Sequence, residues 1–533
     1  MRELTGGGAL IRFILRREKV ALPLWILLLV VMVLGTPFNY AHLLSTDEMI
    51  RGIAEEIGKN EMLSAFAGRL NEVSLAGLSV WKIGDTCYTL IGLMSILTVT
   101  RHTRAEEESG RRELLGACAI GRLASLTASL VVACGASVLA GALAALGWIV
   151  YGFEPAGSIA FGIALAVPGC FYAALAALTA QLTISARRAN MLALTGLVAG
   201  YVLRFAGDAS GYLWMKWVSV QGLSHLVAPF GSERWLVPLL PLAAAIVLAT
   251  VACRLAASRD LGSGLIQPKP GPSAAPRLGK LALAWRMQRG LLAGWTIGFS
   301  LTGVLLGGII GGLSDSGNMR DWGTKLLEQY MGGAGATFED IFLSVIVQSL
   351  SYSAMLYPMF AVLRLRDEEA EGRAEALLAA PFGRLQWAMS HLVFAFAGTA
   401  VIMTAAGAAI GLAYGLNAGG LSELLPRLLA ASWVELPAIW IMGGIAVLVV
   451  GIVPRMAAAV CWAAFLFFNL FGEVLGPIFG LDQSTADKLV PFHHVPKLLT
   501  GGAFALSPVL LLAAVCALLV VCGLAGLRRR DIG

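Results

Sequence analysis

Charge is scarce in this sequence. Only 14% of its 533 residues are Asp, Glu, Lys or Arg, whereas a soluble domain carries about 25%. With 58% of residues hydrophobic and a mean hydropathy of +0.77, the chain cannot clothe a water-facing surface in polar groups. That excludes a soluble globular protein and points to a bilayer. Cysteine is sparse too. The eight are scattered through the apolar runs, as at Cys134, Cys170, Cys461 and Cys522, and no CxxC occurs. Neither a disulfide framework nor a metal site is indicated. His493-His494 has no Cys or carboxylate company at metal spacing, and no nucleophile–base pattern is found. There is no G-x-x-x-x-G-K-[ST]; "IGKNE" at Ile57 and "LGKLA" at Leu278 fail it, so no phosphate-cradling loop is encoded. The reading is a chain with no catalytic residue, metal or cofactor of its own. The net charge of +6 does not call for nucleic acid; where the Lys and Arg fall matters more than their sum.

What is present in abundance is long apolar runs. About 20 apolar residues cross the hydrocarbon core. Twelve spans are predicted: 20–40, 78–100, 123–150, 158–182, 190–206 and 235–257, then 291–313, 341–363, 385–415, 426–452, 456–476 and 502–527. Arg12, Arg16, Arg17 and Lys19 precede the first. Arg101, Arg104, Arg111, Arg112 and Arg122 fill the second loop, and Arg528, Arg529 and Arg530 close the chain. With twelve spans, all these basic groups share one side, which the positive-inside rule makes cytoplasmic, together with both termini. The first run is too long for a cleaved signal and reads as a retained anchor.

The chain reads as two halves, 1–257 and 281–533, joined by a Pro/Gly/Ser-rich linker over 258–280. A shift of 262 pairs Arg104, Glu106, Glu107, Gly110, Arg111, Glu113 and Arg122 with Arg366, Glu368, Glu369, Gly372, Arg373, Glu375 and Arg384. Before the first span of each half, "RREKVALPLW" faces "RMQRGLLAGW" with Trp in register. Six spans per half return the chain to the side it started from. The expectation is an all-α integral membrane protein built from two parallel six-helix repeats, a pseudodimer about an axis along the membrane normal.

The duplicated phrase is "EEESGRRELL" in one copy and "EEAEGRAEALLAAPFGR" in the other. Glu106, Gly110 and Glu113 share a face if the stretch is one helix. Alternatively, Gly110 breaks it into two short helices. Charges that only set topology need Lys and Arg, not the matched Glu residues found here.

At these residues the sequence resembles the permeases of type-2 ABC exporters, in which a Glu-rich stretch, Gly, a short gap and Glu-Leu-Leu form the cytoplasmic coupling segment. The fused six-plus-six form is similar to bacterial exporters of polyketide antibiotics of the tetronasin-resistance type. The first copy departs from the pattern with Ala119 where the second has Pro381, and both have Arg (Arg111, Arg373) where Thr is common. The resemblance implies a permease in the bacterial cytoplasmic membrane. It would have two copies of a separate ABC ATPase as partners, ATP and Mg on those partners, and a hydrophobic or amphipathic small molecule as cargo. It implies ATPase coupling through Glu106, Glu107, Gly110, Arg111, Glu113, Glu368, Glu369, Gly372, Arg373 and Glu375. It also implies an amphipathic interfacial elbow helix opening each half, here "GALIRFILRREK" and "LGKLALAWRMQRG".

Ionisable and polar groups inside spans are candidates for the transport path. Lys82 and Asp85, at i, i+3, can pair with each other. Glu435 precedes Pro437 well inside a span, and Gln348 and Tyr352 lie in the polar run "QSLSYSAMLY". Arg204 reads as an interfacial anchor. The rival reading is a secondary transporter of the major facilitator type, driven by an ion gradient. It also has twelve spans and basic motifs in the 2–3 and 8–9 loops. Here those loops are longer and more acidic, and outer loops 41–76 and 314–340 are large for that class. A non-transporting scaffold is disfavoured by the duplicated phrase.

Overall fold

The computed structural model describes residues 2–43, 47–59, 65–116, 120–260, 262–266, 280–313, 337–370, 372–379, 383–418, 420–470, 489–502 and 504–530. Among them there is no sheet, only one isolated parallel bridge between Thr183 and Ile266. Among the described residues eleven segments are long and apolar enough to cross a membrane, six before residue 260 and five after 280. The chain is a multi-pass membrane protein. It divides into two compact units, Met1–Gly271 and Pro272–Gly533.

In the first unit, α1 (Gly7–Arg17) buries Leu10 and Ile14 and exposes Arg12 and Arg16. After a three-residue turn, α2 (Ala21–Leu43) is the first span, and α3 (Asp47–Lys59) is amphipathic. The second span is α4 (Leu75–His102), whose first turn is capped by the Ser74 hydroxyl accepting from Gly77 N at 3.0 Å. Two short helices follow, α5 (Arg104–Glu108) and α6 (Arg111–Gly116). The remaining spans are α7 (Ala124–Tyr151), α8 (Pro155–Leu182), α9 (Ala186–Ser210) and α12 (Leu239–Ser258). Between the last two lie α10 (Leu213–Val218) and α11 (Val220–Leu226).

With no water to exclude between spans, close backbone approach holds such helices together. A Cβ on Gly141 would meet Gly162 O at 2.3 Å, and one on Gly162 would meet Gly141 O at 2.5 Å. Glycine on both sides lets α7 and α8 touch. The basic loops gather at one end of this unit. Gly121 N donates to Thr5 O, Leu123 N donates to Glu3 O, and Ala186 N donates to a Glu108 oxygen at 2.9 Å.

The second unit comprises α13 (Lys280–Leu313), α14 (Phe338–Ala354), α15 (Leu356–Ala370), α16 (Arg373–Leu378), α17 (Arg384–Ala418), α18 (Leu421–Val434), α19 (Leu436–Ile452), α20 (Ala457–Leu470) and α21 (Leu506–Arg529). Two expectations change here, and a third falls partly beyond the described residues. The stretch "LGKLALAWRMQRG" makes no separate surface helix: from Lys280, the first described residue of the stretch, it runs unbroken into the first span of its half. The spans expected at 341–363 and 426–452 are each two helices, broken at Met355 and Glu435. Pro437, which has no N–H to give, lies within the first two positions of the new helix. Finally, α20 is a shorter apolar helix, and the rest of the span expected at 456–476 lies outside the described residues. So do most of the 314–340 loop and the later part of the 258–280 linker.

Candidate functional site: the duplicated charged segments

In each unit the charged phrase is a helix–glycine–helix. Gly110 and Gly372 both sit at φ +71°, a left-handed conformation that costs other residues roughly 1–2 kcal/mol. No neighbouring atom comes within 4 Å of where their Cβ would be, so the glycines serve backbone shape and not close packing. The single continuous helix is thereby replaced by the broken alternative. Glu106 and Glu113 do not share one helical face.

The break divides the carboxylates into two sets. The matched pairs before the glycine, Glu106 with Glu368 and Glu107 with Glu369, point inward, whereas Glu108 and Asp367 are exposed. Glu106 is paired with Arg17 at the end of α1, with Arg111 3.8 Å away. Glu107 takes a two-pronged bond from Arg259, at 2.9 and 2.8 Å, and accepts from Gly262 N at 2.7 Å. Arg104 and Arg112 stand 3.3 and 3.5 Å from it. Glu368 is 1% exposed beside Arg364, and Glu369 is held by both terminal nitrogens of Arg530. Those after the glycine face out. Glu113 and Glu375 are exposed, as are Arg111 and Arg373. Glu108 caps the N-terminus of α9 through Ala186 N.

The first span's entry turn is bound to the same region. Glu18, 3% exposed, accepts from Arg101 Nη1 at 2.9 and 3.1 Å and contacts His102 Nε2 at 2.7 Å. Burial alone raises its carboxyl, but the bonds from Arg101 and His102 outweigh burial and hold it below the ordinary value. The register that aligns Trp25 with Trp295 sets Gln288 against Glu18. Gln288, fully buried, donates to Ala361 O at 3.1 Å, and Arg364 donates to Met287 O at 2.7 Å. Both units thus tie the start of the first span to the end of the second. Sequence reading passed over Glu18 and Gln288. The Trp register was the available signal for them.

Of the path candidates, Asp85 does not pair with Lys82. Its oxygens face Arg204 Nη2 at 3.0 Å and His225 Nε2 at 3.2 Å, while Lys82 is exposed. Nor is Arg204 an interfacial anchor. Its side chain is 0% exposed, donates to Ala65 O and Phe66 O at 2.7 Å each, and stands 3.5 Å from Asp208, which Lys216 meets at 2.7 Å. A buried carboxylate is stabilised by a buried partner with further hydrogen bonds, and α9 delivers one. Burial, only partly offset by Asp85, pushes His225 below the ordinary imidazole value.

Lys82 and Asp85 do share a cavity of about 230 Å³ with Phe66, Trp81, Thr89 and Tyr201. That space suits a ring system and not a whole drug-sized molecule. In the second unit Gln348 and Glu435 line a separate cavity of about 20 Å³, room for roughly one water. Glu435 Oε2 is buried there without a hydrogen bond from a described residue. Tyr352 packs on Phe492, another wall of that cavity, at 4.2 Å between centroids. Among the described residues no group of three or more His, Cys, Asp or Glu is placed to hold a metal.

The comparisons with known proteins agree with this membrane architecture. A family described as "Multidrug efflux system permease Rv1217c, C-terminal domain" matches residues 278–528. The multidrug efflux system permease protein Rv1217c of Mycobacterium tuberculosis (strain ATCC 25618 / H37Rv) is 40% identical over 99% of this chain and 95% of its own length.

Proposed function

Because this chain belongs to the family of the multidrug efflux system permease Rv1217c, transporters and not enzymes, we propose that it is the membrane subunit of an ATP-driven ABC exporter. Two copies of a separate ATPase would bind it, one on each charged segment. The observation that carries this reading is the repeated helix–glycine–helix. Glu106, Glu107, Glu368 and Glu369 are consumed by the chain's own arginines, whereas Glu113 and Glu375, three residues beyond the left-handed glycines, are exposed. A protein that needed these charges only for solubility has no use for the same hinge twice.

In this reading each half is one six-span repeat, and α1 lies along the inner surface of the bacterial cytoplasmic membrane. Both termini are cytoplasmic. ATP and Mg bind on the partners. The cargo is a hydrophobic or amphipathic drug. The aromatic walls of Phe66, Trp81 and Tyr201 would meet its rings, with Lys82 at the same cavity. Glu435 and Gln348 offer a second polar contact. Native mass spectrometry of the complex drawn from its own membrane tests the partnership. One permease chain with two ATPase subunits is the expected mass; a chain that never carries an ATPase contradicts it.

A further inference from the structure

The carboxylates that face inward have a use of their own. In the first unit the sixth span, α12, ends at Ser258 and is capped by Arg259, whose N–H closes the last turn on Leu255 O at 3.1 Å. In the second unit the last span, α21, ends at Arg529 and is capped by Arg530, whose N–H closes on Gly526 O at 3.1 Å. Each capping arginine forks onto the second glutamate of its own charged segment, Arg259 onto Glu107 and Arg530 onto Glu369. Each also offers its carbonyl, one of the orphan acceptors of a helix end, to an arginine just beyond that segment. Arg122 donates to Arg259 O, and Arg384 donates to Arg530 O. Glu107 pairs with Glu369 and Arg122 with Arg384 in the 262-residue repeat, but that shift would set Arg259 against Val521. The equivalence of the two arginines is visible only at the helix ends.

We propose that Glu107–Arg259–Arg122 and Glu369–Arg530–Arg384 are two latches that fasten both the start and the exit of each charged segment to the tip of its sixth span. Between these anchors the glycine and the exposed Glu113 or Glu375 form the free tip. A push on the tip is carried through the capping arginine into the sixth span. The arginines are positioning residues: they touch neither cargo nor ATP. A two-pronged fork fixes angle as well as distance, which lysine cannot reproduce. In the first unit the linker reinforces the latch, with Arg259 Nε on Gln181 at 2.7 Å and Ile266 N on Leu182 O at 2.8 Å.

The inference deepens the proposal that these segments receive a push from ATPases, and rests on it. The test uses the full chain with its partner ATPase in a pump-deficient bacterial host. Resistance is scored against lipophilic cations, ethidium among them, with the drug against which the parent protects most. Arg259→Lys and Arg530→Lys should each reach parental membrane levels and lose at least about fourfold in resistance. A charge swap is made in the second unit, because Glu107 also faces Arg104 and Arg112. Glu369→Arg alone should abolish resistance, and Glu369→Arg with Arg530→Glu should return to within about twofold of the parent. Hydrogen exchange on the purified lysine variants should speed up in the last turn of the sixth span as well as in the segment. Lysine variants that protect like the parent, or that loosen the segment alone, overturn the latch. If the swap does not accumulate, the lysine variants decide. A parent that protects without any ATPase sinks the ATP-driven reading, yet the same variants still score the latch.

Discussion

At the scale of single residues, the exposed and the consumed carboxylates should behave differently. A carboxylate–cation contact with a partner contributes about 1.5–3 kcal/mol. Glu113→Ala with Glu375→Ala should therefore weaken ATPase co-purification and lower drug-stimulated ATP turnover, while the chain still inserts. Glu108→Ala is no neutral control, since Glu108 caps α9. Asp367→Asn is a better one: that side chain is 61% exposed and only 4.0 Å from its neighbour Arg366. Arg204→Met tests the buried cluster. It removes the guanidinium from Asp85 and Asp208, leaving them only His225 and Lys216, and takes the arginine's donors from Ala65 O and Phe66 O. The loss should be about 3–5 kcal/mol, read as a large drop in the unfolding midpoint in detergent. A midpoint within a few degrees of the parent would contradict the burial. This cluster was only half legible in the sequence. Asp85 stands out as a charge in an apolar run, but its partners come from α9 and α11, and no local spacing announces them. The i, i+3 rule pointed to Lys82 instead.

At the scale of elements, the glycine hinge is the sharpest feature. Gly110→Ala with Gly372→Ala adds a methyl into open space, so its cost is the backbone's alone, about 1–2 kcal/mol per site. Export should fall while expression holds. Asn at the same positions, which tolerates the left-handed region, should retain more activity than Ala. The α1–α2 turn gives a pH prediction. Glu18 is held below its unfolded value, so its contribution is complete above the unfolded carboxylate pKa, about 4.3, and is lost as pH falls through the folded value. Acid titration of the unfolding midpoint should show this loss, and Glu18→Gln should flatten it. Spans were legible because twenty apolar residues have no other use. The breaks at Met355 and Glu435 were not, since hydropathy averages over a kink. The unbroken α13 was misread because amphipathic composition cannot say where a turn falls.

At the scale of the whole molecule, the two copies of the phrase were readable as a repeat, and the glycine's conformation was one of the two alternatives the residues left open. The latch arginines were unreadable, because unequal loop lengths put them out of register. Single Cys labels on a Cys-free background test the topology. Ser109 and Glu375 should be shielded from an impermeant reagent applied outside cells, and Tyr212 and Leu489, both exposed, should react. The reverse pattern would place the charged segments on the wrong side for any ATPase. The central claim is that ATP on a partner drives this permease, and its most direct measurement is transport by the purified complex in proteoliposomes. With ATP and Mg and no ion gradient, drug should accumulate, and Glu113→Ala with Glu375→Ala should stop it. Drug movement by the permease chain alone under a proton gradient, with ATP adding nothing, would contradict the account.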